Sequence, residues 1–227
     1  MTLDLDPARL FVLVDLDAAL SRVDVRRHLL ERAGRAGWEA AEDLFDRGGS
    51  TSRERLSDGW SFLPHDEERL RSIAREVPVD PAAGPLVRDL REAGAEVLVV
   101  SDGYGFSVRE ALAAAGAADV EVLTNAVDFD AGELRFPHED RCCPCTSCGV
   151  CKQAPLREAR ARGRVTVLVG ASLADRKAAL LADVVVTRGP MAAWCDAFGV
   201  PWVPFETLDD VGRLLLPARR PGGPLVR

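Results

Sequence analysis

Apolar positions along this chain fall into short unbroken runs, separated by stretches in which apolar residues recur every three or four positions. The first run, Phe11-Val12-Leu13-Val14, ends abruptly in Asp15-Leu16-Asp17. Four consecutive apolar residues bounded by charge predict a strand buried on both faces, as in a parallel sheet. Comparable runs occur at 96–100, 121–124, 165–169 and 183–186. Helical spacing fills 82–93, 105–115, 152–161, 173–182, about 190–198 and 206–215, and Gly94 and Gly116 stop the first two of these. Residues 20–76 contain no strand pattern. Helical spacing there covers 20–33, 38–47 and 65–76, broken by Gly34, Gly37, Gly48-Gly49 and Pro64. Residues 126–136 alternate around Asp130-Ala131-Gly132, a hairpin signal.

This rhythm predicts an α/β protein with a doubly wound parallel sheet. The expected organisation is a core of residues 1–19 and 80–216, a small helical domain inserted at 20–79, and a flexible tail at 217–227. Within the core, residues 125–151 form a β-hairpin and a cysteine-rich loop.

Composition narrows the partners. The 227 residues suffice for one α/β domain with an insert. A net charge of -7 argues against a nucleic-acid surface. No apolar stretch approaches the ~20 residues of a membrane span, and the N-terminus is acidic where a signal peptide is basic. The expectation is a cytoplasmic protein with no membrane partner, whose six cysteines are reduced thiols or metal ligands. Among 29 basic residues only Lys152 and Lys177 are lysines, so each invites the question why arginine would not serve.

The candidate chemistry lies at strand ends. Alternation points Asp15 and Asp17 the same way, at the end of an open α/β sheet where ligands bind. Two converging carboxylates are costly unless a cation or chemistry lies between them; the plain alternative is a solvated acidic turn. Ser101-Asp102-Gly103 closes the second strand with a hydroxyl and backbone N–H groups suited to phosphate oxygens. Lys152 opens a helix directly after Cys148-Gly149-Val150-Cys151, and the run at 165–169 leads into Gly170-Ala171-Ser172-Leu173-Ala174-Asp175.

In order and placement these residues resemble the motifs of the haloacid dehalogenase superfamily: DxDx[TV], a Ser or Thr, a Lys, and an acidic GDxxxD turn. The helical insert matches the phosphoserine-phosphatase-like branch. The Ser-Asp-Gly and Cys-Gly-Val-Cys-Lys runs are similar to the group containing the methylthio-ketopentenyl phosphate phosphatases. The resemblance spans about residues 10–190 and implies a Rossmann-like core that hydrolyses a small phosphorylated metabolite. It implies Asp15 as nucleophile, Asp17 as acid and base, and Ser101, Asp102, Gly103 and Lys152 around the phosphoryl group. It also implies magnesium held by Asp15, Asp17 and Asp175.

The chain departs from this pattern in one cluster. Ala171 stands where the family has a metal-binding Asp, Ala174 where it often has Ser or Thr, and Ala18-Ala19 where it has Gly-Thr. A lost ligand costs more than the roughly 10–100-fold typical of outer-shell losses. Two functions follow: weakened or altered phosphatase catalysis, or a pseudoenzyme that binds a phosphometabolite without turnover. Separately, Cys142, Cys145, Cys148 and Cys151 recur every third residue. Four thiolates suit tetrahedral zinc, though zinc sites usually separate two CxxC pairs by a longer loop. Iron–sulfur ligation and unliganded thiols are the alternatives, and a zinc-stabilised interaction module is a third function class.

Overall fold

The computed structural model describes residues 5–139 and 147–216. Seven strands form one sheet: β1 (Leu10–Asp15), β2 (Glu96–Tyr104), β3 (Glu121–Asp128), β4 (Glu133–Arg135), β5 (Val165–Gly170), β6 (Val184–Thr187) and β7 (Val203–Pro204). Their order is β4-β3-β2-β1-β5-β6-β7, parallel throughout except for the β3–β4 hairpin. The unbroken apolar run puts β1 in the centre, with all six residues buried. Its Leu10, Val12 and Val14 face one core and its Phe11 and Leu13 the other, as strand alternation requires.

Helices cover both faces. On the first lie α5 (Ala83–Glu92), α6 (Gly105–Ala114) and α10 (Leu208–Leu215). On the second lie α7 (Gln153–Ala161), α8 (Arg176–Ala179) and α9 (Gly189–Phe198). The chain leaves β1 towards β2 on one side and reaches β5 on the other, so the β1 end lies at the switch point where such sheets bind ligands.

Four helices stand between β1 and α5: α1 (Val25–Ala33), α2 (Trp38–Asp46), α3 (Ser52–Phe62) and α4 (Glu67–Arg75). They share an apolar cluster of Leu29, Leu30, Trp38, Leu56, Trp60 and Leu70 with Tyr104 and Phe106 of the core. The Tyr104 hydroxyl donates to the Leu56 carbonyl at 3.0 Å, and the Trp60 indole to Gly132 of the hairpin at 2.9 Å.

Helix α3 is absent from the sequence-based expectation. Its polar run and internal Gly59 mask the periodicity, while Thr51 and Glu54 form a capping box at its start. Two further boundaries differ. The helix expected over 173–182 is a 3₁₀ turn at Leu173–Asp175 followed by the short α8. Strand β2 runs on through Ser101-Asp102-Gly103, which is a bulged strand end rather than a free turn; bulges of this kind commonly re-aim side chains beside active sites.

After Asp15 the chain makes an irregular wide turn, Leu16–Leu20. Within it Ala18 adopts φ 56°, the left-handed region that favours glycine. Arg188 clasps this turn: its Nε and Nη2 donate to the Ala18 carbonyl at 3.2 and 2.7 Å, and its guanidinium lies over Phe205. Replacing Ala18 by Gly removes the Cβ strain and is expected to raise stability by up to about 1 kcal/mol, read as a higher Tm. A lower Tm would show that the Arg188 clasp holds this conformation without strain.

Candidate active site

Strand β1 delivers Asp15 to its C-terminal end at 1% exposure. Asp15 Oδ1 accepts from the Leu16 N–H and from Lys152 Nζ, both at 2.9 Å, and Oδ2 accepts from the Ser172 hydroxyl at 3.2 Å. Burial and the neighbouring Asp175 push the Asp15 carboxyl well up, with Lys152 opposing. Asp17, in the turn beyond, accepts from the Val25 N–H at 2.7 Å, so the core carboxylate is tied to the first helix of the insert. Burial and Asp24 push Asp17 up to about 7.

Lys152 immediately precedes α7, and 6% of it is exposed. Its ammonium bridges Asp15 and Asp175, the latter at 2.7 Å. Burial alone lowers a lysine pKa; here Asp15, Asp175 and Asp102 outweigh it and hold the group charged.

The other expected residues take more specific places. Ser101 is fully buried beneath the pocket; its hydroxyl accepts from the Gly103 N–H at 3.0 Å and reaches Asp17 Oδ2 at 3.4 Å. Asp102 and Gly103 line a small cavity of about 50 Å³ together with Asp15, Asp17, Lys152 and Ser172. Asp102 accepts from the Val150 N–H at 2.8 Å, and burial raises its pKa. The β2 bulge is held from β3. Thr124 Oγ1 and Asn125 Nδ2 donate to the Gly103 and Asp102 carbonyls at 3.0 and 2.7 Å.

Asp175, expected to ligate magnesium, is instead fully buried and turned to protein donors. Its Oδ1 holds Lys152, and its Oδ2 accepts from the Ser172 N–H at 3.2 Å. Gly170 permits this approach, because a Cβ there would collide with the Asp175 carboxylate. Ala171 presents a buried methyl at the position of the family's ligand.

Among the described residues no three His, Cys, Asp or Glu side chains converge as a metal-ligand group. With a methyl at Ala171 and Asp175 turned to Lys152 and Ser172, the side chains present do not fit the magnesium site that the resemblance implied. Of the four cysteines considered for zinc, Cys142 and Cys145 lie outside the described residues.

Sequence reasoning passed over several groups that complete the pocket. Ser172 sat unnoticed beside Ala171. From the insert, Asp24, Arg26, Arg55 and Leu56 reach the cavity wall. Arg26 pairs with Glu42 through two hydrogen bonds of 2.6 and 2.7 Å, and Arg55 bonds Glu42 at 2.5 Å and Asp24 at 3.1 Å. Only the fold brings these four residues together; their spacing carries no recognisable motif.

A carboxylate pair at the end of β1 and in the turn after it, a bulged serine strand end and a buried lysine, roofed by helices inserted after β1, define a phosphatase fold of the haloacid dehalogenase class. The chain belongs to the Putative Phosphatase family, whose sequence profile matches residues 64–179. It is similar to the 2-hydroxy-3-keto-5-methylthiopentenyl-1-phosphate phosphatase of Brevibacillus brevis, with 26% identity over 91% of this chain and 95% of the relative. The enzyme of the same name from an Exiguobacterium species is 28% identical over 88% of this chain and 94% of its own.

Solved structures share the fold. A phosphoserine phosphatase from T. onnurineus superposes with a TM-score of 0.63 at 20% identity, covering 93% of this chain and 96% of its own. A haloacid dehalogenase family hydrolase from Salmonella enterica does so with a TM-score of 0.75 at 11% identity, covering 96% and 75%. Among the described residues no helix is long and apolar enough to cross a membrane.

Proposed function

We propose that this chain is a phosphomonoester hydrolase for a small phosphorylated metabolite and works through an aspartyl-phosphate on Asp15. The observation that carries the reading is the convergence of Asp15 and the charged Lys152 at 2.9 Å, with Asp17 held near neutrality beside them. An Asp15 oxygen attacks phosphorus as the bond to the leaving oxygen breaks, and protonated Asp17 gives that oxygen its proton. Asp17, now a carboxylate, takes a proton from water, whose oxygen attacks phosphorus and frees phosphate and Asp15. Lys152 offsets charge on the phosphoryl oxygens, and Ser101 acts from below by holding Asp17 and Gly103. The relatives' names favour an enol or keto phosphomonoester as substrate.

The methyl at Ala171 supports a second reading, a phosphometabolite-binding protein that does not turn over. Phosphate release from a panel of small phosphomonoesters, including a keto-phosphate, separates the two. Turnover that drops at least about 100-fold in Asp15→Asn supports the hydrolase. Ester binding without phosphate release supports the binding protein and overturns the first reading.

A further inference from the structure

The mismatch between the pocket and a divalent cation has a chemical counterpart in the same residues. A family magnesium site depends on carboxylate oxygens free to face the ion. Here Asp15 Oδ1 already takes the Leu16 N–H and Lys152 Nζ, and a carboxylate oxygen offers about two lone-pair directions. Asp15 Oδ2 takes the Ser172 hydroxyl, and both Asp175 oxygens take protein donors. The carboxylate that would supply fresh lone pairs is the Ala171 methyl.

The positive charge a phosphate needs is nonetheless present. Lys152 is buried, its ammonium 2.9 Å from Asp15 and 2.7 Å from Asp175, and it lines the cavity with Arg26 and Arg55. Ser172 occupies the turn where the carboxylate is missing, and its hydroxyl steadies Asp15. Lys152 stands where the resembled family also has its lysine, and the departure is confined to the turn, where a methyl and the Ser172 hydroxyl replace a carboxylate.

We propose that this pocket binds its phosphate group without a divalent cation, with Lys152 supplying the charge. The inference rests on the pocket being a phosphate site and goes beyond it by removing the metal from recognition.

Calorimetric titration of the whole protein with inorganic phosphate, in EDTA and then in millimolar magnesium, tests it. The expected result is the same Kd in both within about twofold, with no heat of binding from magnesium alone. Phosphate binding that disappears in EDTA and returns with magnesium overturns the proposal. Ala171→Asp restores the missing carboxylate and is expected to bind magnesium alone and to tighten phosphate at least about tenfold when magnesium is present. A folded Ala171→Asp protein that gains neither property also counts against the proposal, since the methyl is then not what excludes the cation. If that variant fails to fold by circular dichroism, the wild-type comparison still decides. Absence of phosphate binding under every condition overturns the phosphate-site reading itself, an outcome distinct from magnesium dependence.

Discussion

Lys152→Met is expected to weaken inorganic phosphate binding at least about 100-fold and to cost about 3–5 kcal/mol of stability at neutral pH. Methionine nearly matches the volume and flexibility of the lysine stem, so the change isolates the charge. In the wild type the ammonium lies 2.9 Å from Asp15 and 2.7 Å from Asp175, with both carboxylates almost wholly buried. Removing it leaves two facing carboxylates with no cation between them. Burial and Asp175 already raise Asp15 far above its ordinary range, and Lys152 is the largest influence holding it down.

The sign of the pH dependence follows. A carboxyl whose folded pKa lies above its unfolded value of about 3.9 is disfavoured in the fold while ionised, and the penalty fades as falling pH protonates it. The stability deficit of Lys152→Met relative to wild type should therefore be largest near pH 7–8 and shrink towards about pH 5. Urea unfolding at the two pH values measures it. A deficit that is equal at both, or that grows in acid, would place the loss in packing rather than in unpaired carboxylates.

The parts of this site that were legible in the sequence are those that local patterning dictates. Phe11–Val14 reads as a doubly buried strand, and Asp15 and Asp17 inherit their place from it. Lys152 was conspicuous because lysine is so rare in this chain. Ser101-Asp102-Gly103 was placed at the right strand end, but its shape was not readable. The bulge is set by Thr124 and Asn125 of the adjacent strand reaching across the ladder, a tertiary effect with no local signature. Asp175 is a cation ligand only by the resemblance, in which the turn is acidic; its contacts with Lys152 and Ser172 are set by the fold and have no local signature. Helix α3 escaped because its apolar face, Leu56 and Trp60, is sparse and its stability comes from docking on Tyr104.

Glu42→Ala is expected to be the most destabilising change in the helical insert, again by about 3–5 kcal/mol, or roughly 6–20 °C in Tm for a chain of this size. Arg26 is 4% exposed, and its fork is matched by both Glu42 oxygens at 2.6 and 2.7 Å. Arg55 shares the same carboxylate. Without Glu42, Asp24, at 3.6 and 3.1 Å, is the carboxylate left to the two guanidiniums among the described residues, and a buried cation loses its hydrogen-bonded partner.

Burial raises the Glu42 carboxyl, but the Arg26 and Arg55 hydrogen bonds outweigh it and hold the group below its usual range. A depressed carboxylate contributes stability above its unfolded pKa of about 4.3, and that contribution is lost as pH falls through the folded value. The gap between Glu42→Ala and wild type should therefore be full at neutral pH and narrow only in strong acid, the mirror of the Lys152 case in its pH range. Binding should separate them as well. Releasing Arg55 from Glu42 leaves a cation at the wall of the cavity, so phosphate affinity in Glu42→Ala should hold or rise while stability falls. Thermal melts and phosphate titration on the same protein check both halves. If affinity and stability fall together, the four charges of the insert shape the pocket itself rather than merely holding the helices above it.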